Sequence, residues 1–215
     1  MVFVVLLMGA EGAGKSTVAN YLVAEHGFVE LSFASALRES SIAMWNGIAA
    51  MTSELPTLSM EDTQDRVKKE APIGDLMLAG RPFSPRVLLQ WFGTDIMRNM
   101  VADDIWAYAT IAKLRKEIAT GQSRFVFSDY RFPNEFESVR NFLAEYDQSV
   151  PLTVRIVPDL SAEELALAKA TALAGHPSAR GWVTLPADLE LVNPMDKENM
   201  YRWLEEVSKS ILKDR

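Results

Sequence analysis

Gly9-Ala10-Glu11-Gly12-Ala13-Gly14-Lys15-Ser16 decides how this chain is read. The stretch fits the pattern G-x-x-x-x-G-K-S/T in full. The residues before it, Val2 to Met8, form one continuous apolar run, as in a strand of a parallel sheet covered on both faces. The residues after it, Ser16 to His26, read as a helix with Val18, Tyr21 and Leu22 on an inner face, and Gly27 stops it. A strand, a glycine loop and a helix in this order make an anion cradle. Gly9, Gly12 and Gly14 keep side chains out of the concavity, backbone N–H groups point inward, and the helix adds its positive end. A chance glycine turn is the bland alternative, and the flanking strand and helix argue against it. Glu11 has to face solvent or an arginine, because a carboxylate turned inward would repel phosphate.

Phosphate-loop chemistry assigns the neighbouring side chains. Lys15 reaches the β- and γ-phosphates of ATP, the Ser16 hydroxyl is a hard oxygen ligand for Mg²⁺, and Thr17 adds a contact to the α-phosphate. Ala13 counts with the loop glycines among the cofactor-binding residues. The motif fixes the cofactor and leaves the reaction open, since motors, switches, ATPases and kinases share it.

Working outward, strands alternate with helices along the whole chain. Phe28–Phe33 reads as a second strand and Ala34–Ala50 as a helix. Residues 51–85 read as an irregular, partly helical insertion, broken by Pro56, Pro72, Gly74, Gly80, Pro82 and Pro85. Helices are expected over 86–100 and 103–120, a strand over 124–128, a helix over 134–146 and a strand over 152–157. Ser161 and Glu164 form a capping box for a helix to Leu173. Residues 175–186 read as a loop, 189–192 as a last strand and 197–213 as a closing amphipathic helix. This alternation predicts an α/β fold with a parallel sheet between two helical layers. The expected organisation is a single domain, 1–215, with an acceptor-side insertion near 38–85 and a lid near 160–185.

The 215 residues carry a net charge of −7, with 48% hydrophobic and 24% charged residues and no cysteine. Disulfides, thiolate metal sites and a cysteine nucleophile are excluded. A reducing compartment fits, and the expected location is the cytoplasm, that of the host if the chain is viral. The acidic balance, without a run of interleaved basic and aromatic residues, argues against polymeric nucleic acid as substrate. No segment has the length and apolarity of a membrane span, and a homodimer is compatible with the sequence.

Three further segments carry a resemblance. Arg86-Val87-Leu88-Leu89-Gln90-Trp91-Phe92-Gly93-Thr94-Asp95 is similar to an R-x-L-L-Q-x-x-G-T-D/E element. Asp104-Ile105-Trp106 is similar to its D-x-W partner. Ser128-Asp129-Tyr130-Arg131-Phe132-Pro133-Asn134-Glu135 is similar to a strand-ending D-x-R-x-x-x-E element. With the glycine loop, and in this order, they resemble the deoxynucleoside monophosphate kinases of bacteriophages, and more distantly phosphomevalonate kinase. The resemblance implies a phosphotransferase of the nucleoside monophosphate kinase type. ATP and Mg²⁺ would be its cofactors and a deoxynucleoside monophosphate its small-molecule partner. Residues 188–193 resemble a D-x-x-I/V-x-N strand ending beside the adenine, which implies a nucleotide contact for Asn193. His176-Pro177-Ser178 resembles an H-x-S-E element in which Ala179 replaces the glutamate.

Moving a phosphoryl group between two phosphates is mainly alignment and charge neutralisation, so arginines beyond Lys15 are required. Arg131, just past Asp129 at the end of a strand, is the first candidate; a surface pairing with Glu135 is the alternative. Asp129 reads as a ligand to Mg²⁺ through water or as a helix cap. Arg86, Gln90 and Thr94 share a helical face and are acceptor-side candidates with Arg98, while the resemblance implies acceptor-side roles for Arg38 and for Asp95, which points elsewhere on a regular helix. A solvated helix face is the alternative for Arg38, and pairing with Asp95 the alternative for Arg98. Trp106 reads as a wall of the base pocket, while Trp91 and Phe92 fit core packing as well as stacking. Arg180 reads as an arginine delivered by the lid or as a solvated loop residue. Two other readings stay open: a kinase with a different acceptor (a modified pyrimidine nucleotide, a phosphomevalonate-like compound or a hydroxymethylated base in DNA) and a nucleotide-binding module without transfer activity.

Overall fold

The computed structural model describes residues 1–52, 54–196 and 198–213. The chain forms two compact units, Met1–Phe33 with Thr110–Arg215, and Ala34–Ala109. The first unit is built on five parallel strands: β1 (Phe3–Met8), β2 (Val29–Leu31), β5 (Arg124–Phe127), β6 (Leu152–Pro158) and β7 (Leu189–Asn193). Their order in the sheet is β2-β5-β1-β6-β7. Strand β1 is therefore central, with Leu6 beside Phe127 of β5 and Leu7 beside Val154 of β6.

Alternation along β1 explains the layers. Val4, Leu6 and Met8 join one cluster with Leu114, Phe125, Phe127, Val139, Phe142 and Trp182. Val5 and Leu7 join the opposite cluster with Val18, Leu22, Leu204, Val207 and Ile211. Helices α1 (Lys15–His26) and α9 (Met200–Leu212) supply the second face. Helix α5 (Ile105–Ala119), in its part beyond Thr110, supplies the first face together with α6 (Pro133–Tyr146) and two helices described next. A strand buried on both faces has to be apolar at every position, which is why the run 2–8 carries no alternation. The three-layer α/β expectation holds.

Helix α7 (Ala162–Ala174) starts at the expected capping box, with Ser161 Oγ accepting from Glu164 N–H at 3.3 Å and the Glu164 carboxylate accepting from Ser161 N–H at 2.9 Å. The loop expected over 175–186 is instead largely a helix, α8 (Pro177–Thr184). Pro177 stands at its first position, where a missing N–H costs nothing, and His176 Nδ1 accepts from Ser178 N–H at 3.3 Å. Pro177 is thus a helix start signal.

The second unit begins along α2 (Phe33–Ala49), and its interior gathers Trp45, Leu58, Ile73, Phe83, Val87 and Leu88. The segment 51–85 is more ordered than its prolines suggest. It holds α3 (Met60–Gln64) with a Ser59–Asp62 capping box, a 3₁₀ turn at Lys68–Glu70, and a two-residue hairpin of β3 (Met77–Leu78) and β4 (Arg81–Pro82). The helix expected over 86–100 is α only in α4 (Pro85–Gln90). Trp91–Val101 continues as a wide π-type helix, closed by Ala102 N–H donating to the Met97 carbonyl at 2.9 Å. Three other boundaries shift: β2 stops at Leu31 because Phe33 opens α2, β7 extends to Asn193, and the last helix runs from Met200. Lys197, the expected start of that helix, lies outside the described residues.

Candidate active site

The glycine loop leaves β1 at the carboxyl edge of the sheet, where open α/β sheets bind ligands. Its neighbours leave it no slack. A Cβ on Gly9 would lie 2.4 Å from the Ile156 carbonyl oxygen of β6. Gly14 caps α1 at φ 102°, and a Cβ there would lie 2.6 Å from Asn193 Nδ2. Lys15 Nζ donates to the carbonyls of Gly9 and Ala10, both at 2.8 Å, so the ammonium is held over the loop. Ser16 and Thr17 are exposed on the first turn of α1, and Glu11 is exposed as expected.

Asn193 was expected beside the base. It is 2% exposed, and its side chain donates to the Ala13 carbonyl at 3.0 Å and accepts from Met195 N–H at 2.9 Å. Those bonds make it a brace under the loop, tying the end of β7 to the anion cradle. The sequence signal for that task is only its place at a strand end.

The adjacent strand β5 delivers the D-x-R-x-x-x-E element to the same edge, and Tyr130 N–H donates to the Leu7 carbonyl of β1 at 3.2 Å. Asp129 is buried and acts as the cap: Oδ2 accepts from the Ser32 hydroxyl at 2.6 Å and Oδ1 from Phe33 N–H at 3.0 Å, at the start of α2. Of the two expected readings, these bonds fit the helix cap. Burial, then the charges of Glu135, Glu137 and Asp188, push the Tyr130 phenol well above its ordinary range, so it stays protonated.

Arg131 follows on a turn gripped by Glu135. The Glu135 carboxylate, 2% exposed, accepts from the backbone N–H of Arg131 at 2.8 Å and of Phe132 at 3.1 Å through one oxygen. The sequence allows a pairing of Glu135 with the Arg131 guanidinium; the bonds go to the backbone instead. A proline at the first and a glutamate at the third helical position were the available signal. The Arg131 guanidinium donates to the Ser178 carbonyl of α8 at 3.3 Å. Arg180, the expected lid arginine, donates to the Gly175 carbonyl at 3.0 and 3.2 Å and closes the α7–α8 junction.

In the second unit, the acceptor-side candidates lie on α2 and on the α4–π stretch. Gly93 packs against Leu37, next to Arg38: a Cβ on Gly93 would lie 2.7 Å from Leu37 Cδ2. Arg38 and Gln90 are half-buried, Thr94 is buried and Asp95 is exposed. Trp106, expected to wall a base pocket, is 5% exposed. Its indole N–H donates to the Gly93 carbonyl at 2.9 Å and its ring lies 6.1 Å from that of Phe92, so it props the π segment. Arg98, 7% exposed, donates to the Asp103 carbonyl at 2.9 Å and pins the end of that segment. Arg86 pairs with Glu70 of the 3₁₀ turn. Among the described residues no group of three or more His, Asp or Glu is arranged to hold a metal ion, and no helix is long and apolar enough to cross a membrane.

The chain is similar to the following known proteins. Residues 64–146 match the family model described as deoxynucleotide monophosphate kinase. A protein of Acanthamoeba polyphaga mimivirus, provisionally named a deoxynucleotide monophosphate kinase, is 34% identical over 151 residues, covering 62% of this chain and 66% of that protein. The deoxynucleoside-5'-monophosphate kinase of Escherichia phage T5 is 35% identical over 119 residues, covering 54% of this chain and 42% of that protein. The chain thus spans just under two thirds of one curated relative and less than half of the other. Among solved structures, a provisionally named kinase from Chloroflexus aurantiacus shares 15% identity at a TM-score of 0.43, with 97% of both chains covered.

Proposed function

From the premise that this chain is a sequence relative of the deoxynucleotide monophosphate kinases, we propose that it transfers the γ-phosphate of ATP to a deoxynucleoside monophosphate, giving ADP and the diphosphate. One observation carries the reading: the phosphate cradle and the Arg131 turn leave adjacent strands, β1 and β5, at one edge of the sheet. Two phosphorylated ligands need positive charge on both sides of the moving group, and this edge offers Lys15 and Arg131.

The residues divide the task as follows. Gly9 to Gly14 direct backbone N–H groups at the donor phosphates, and Lys15 neutralises charge that grows on the β–γ bridge. Bound Mg²⁺ would supply further neutralisation of the donor phosphates. Ser16 suits it, because its hydroxyl is exposed on the first helical turn. Asp129 suits it less, since both its oxygens accept bonds from Ser32 and Phe33. Arg131 stabilises the transferring phosphoryl group. No general base is needed, because the attacking phosphate oxygen is already ionised. In the second unit, Arg38, Arg86, Gln90, Thr94 and Asp95 are assigned to the acceptor, and Arg98 and Trp106 to the frame that holds them. Asn193 acts on the nucleotide through the loop it braces, and Arg180 acts at the α7–α8 junction.

A coupled assay of ADP release with each of the four deoxynucleoside monophosphates and their ribose counterparts tests this. Acceptor-dependent turnover on at least one deoxynucleotide is expected. Turnover that answers only to DNA or to a non-nucleotide phosphate would transfer the reading to another acceptor. Binding of ATP with no acceptor-dependent ADP would leave a nucleotide-binding module.

A further inference from the structure

The α8 helix packs backbone to backbone on the Arg131 turn. A Cβ on Gly181 would lie 2.1 Å from the Arg131 carbonyl oxygen, 2.8 Å from its carbonyl carbon and 3.0 Å from its Cα. Helix backbone therefore rests directly on turn backbone, and only glycine permits the approach. The helix is also anchored from behind. Trp182 and Leu185 are buried in the cluster beneath the sheet, and the Arg155 guanidinium of β6 donates to the Leu185 carbonyl. From the other side, buried Glu135 holds the Arg131 and Phe132 N–H groups. The guanidinium itself is directed along α8 by the Ser178 carbonyl.

We propose that Gly181 and Glu135 are positioning residues for Arg131, and that α8 is the surface against which the guanidinium is aimed at the transferred phosphoryl group. This rests on the kinase reading above. The physical argument is preorganisation. An arginine side chain has rotamer entropy to lose, and a displacement of about 1 Å at a reacting centre costs on the order of 100-fold in rate. A turn fixed on two sides and a side chain fixed on a third reduce both losses.

The test is a double-mutant cycle on the full chain, with kcat and both KM values measured for the acceptor that the panel identifies. Gly181→Ala should lower kcat on the order of 100-fold, with KM for ATP within about twofold of wild type. Glu135→Gln, which keeps an acceptor oxygen but no charge, should lower kcat by roughly tenfold. Each change placed in an Arg131→Ala background should slow it by no more than about twofold further, since residues acting through one arginine are non-additive with its loss. If Gly181→Ala does not fold, as shown by its circular dichroism, the Glu135→Gln arm of the cycle decides. Losses that multiply in the double variants, or a Gly181→Ala enzyme at wild-type kcat, overturn the positioning role while leaving the kinase reading intact. A wild-type chain inactive on every monophosphate overturns the kinase reading, and the positioning role falls with it.

Discussion

The sheet edge around Gly9–Ser16 and the helical surface of Ala34–Ala109 each carry candidate functional residues, and they hold them in opposite ways. At the sheet edge the chemistry lies largely in the main chain. N–H groups form the cradle, and the side chains that matter act on the backbone: Asn193 on Ala13, Glu135 on Arg131 and Phe132, Asp129 on Phe33. In the second unit the candidates are polar or aromatic side chains, and several have structural partners: Arg86 with Glu70, Arg98 with the Asp103 carbonyl, Trp106 with the Gly93 carbonyl. A backbone site is specified by where the chain can go. A side-chain site is specified by which partner a long side chain finds, and an engaged partner changes its role.

Substitutions can break or sharpen this contrast. The largest effect is expected at the cradle: Lys15→Ala should reduce transfer by about 1,000-fold or more while thermal unfolding shifts by no more than about 2–4 °C. Near-normal turnover would remove Lys15 from the chemistry. Trp106→Ala should reverse the pattern, destabilising the fold by about 3–5 kcal/mol in denaturant titration. Trp106→Phe should cost about 1–3 kcal/mol, because the Gly93 carbonyl loses its donor. A Trp106→Ala protein of wild-type stability that no longer binds acceptor would return the residue to a base pocket. The smallest effect on stability is expected at Arg86. Both Arg86→Ala and Glu70→Ala should change it by about 0–1 kcal/mol, as for a surface ion pair. Only Arg86→Ala should raise KM for the monophosphate. Equal KM values in the two variants would leave Arg86 an ion-pair residue and nothing more.

Residues whose sequence neighbours are also their physical neighbours were readable. The apolar run, the glycine spacing, the capping box at Ser161 and the stop at Gly27 all act within a few positions, so pattern and structure agree. Where the partner is remote, the reading slipped. The prolines and glycines of 175–186 look like a loop until Trp182 finds the core and Pro177 takes a helix start. A regular helix over 86–100 is what the local pattern supports; that Gly93 packs beside Leu37 and gives its carbonyl to Trp106 is set by remote partners. Asp129 reads as a metal ligand slightly ahead of a cap, and the bonds it accepts from Ser32 and Phe33 at the start of α2 come from residues 97 and 96 positions away.

The sequence by itself determined that a phosphate cradle stands between a buried strand and a helix in a layered α/β fold, because those properties follow from local backbone sterics and hydrophobic period. Only the tertiary structure decided that β5 lies beside β1, that α8 rests on the Arg131 turn through Gly181, and that Asn193 braces the loop from 180 positions away. Those are pairings across long stretches of chain. Their stability comes from packing and from satisfying buried polar groups, and neither leaves a period or a spacing in the sequence.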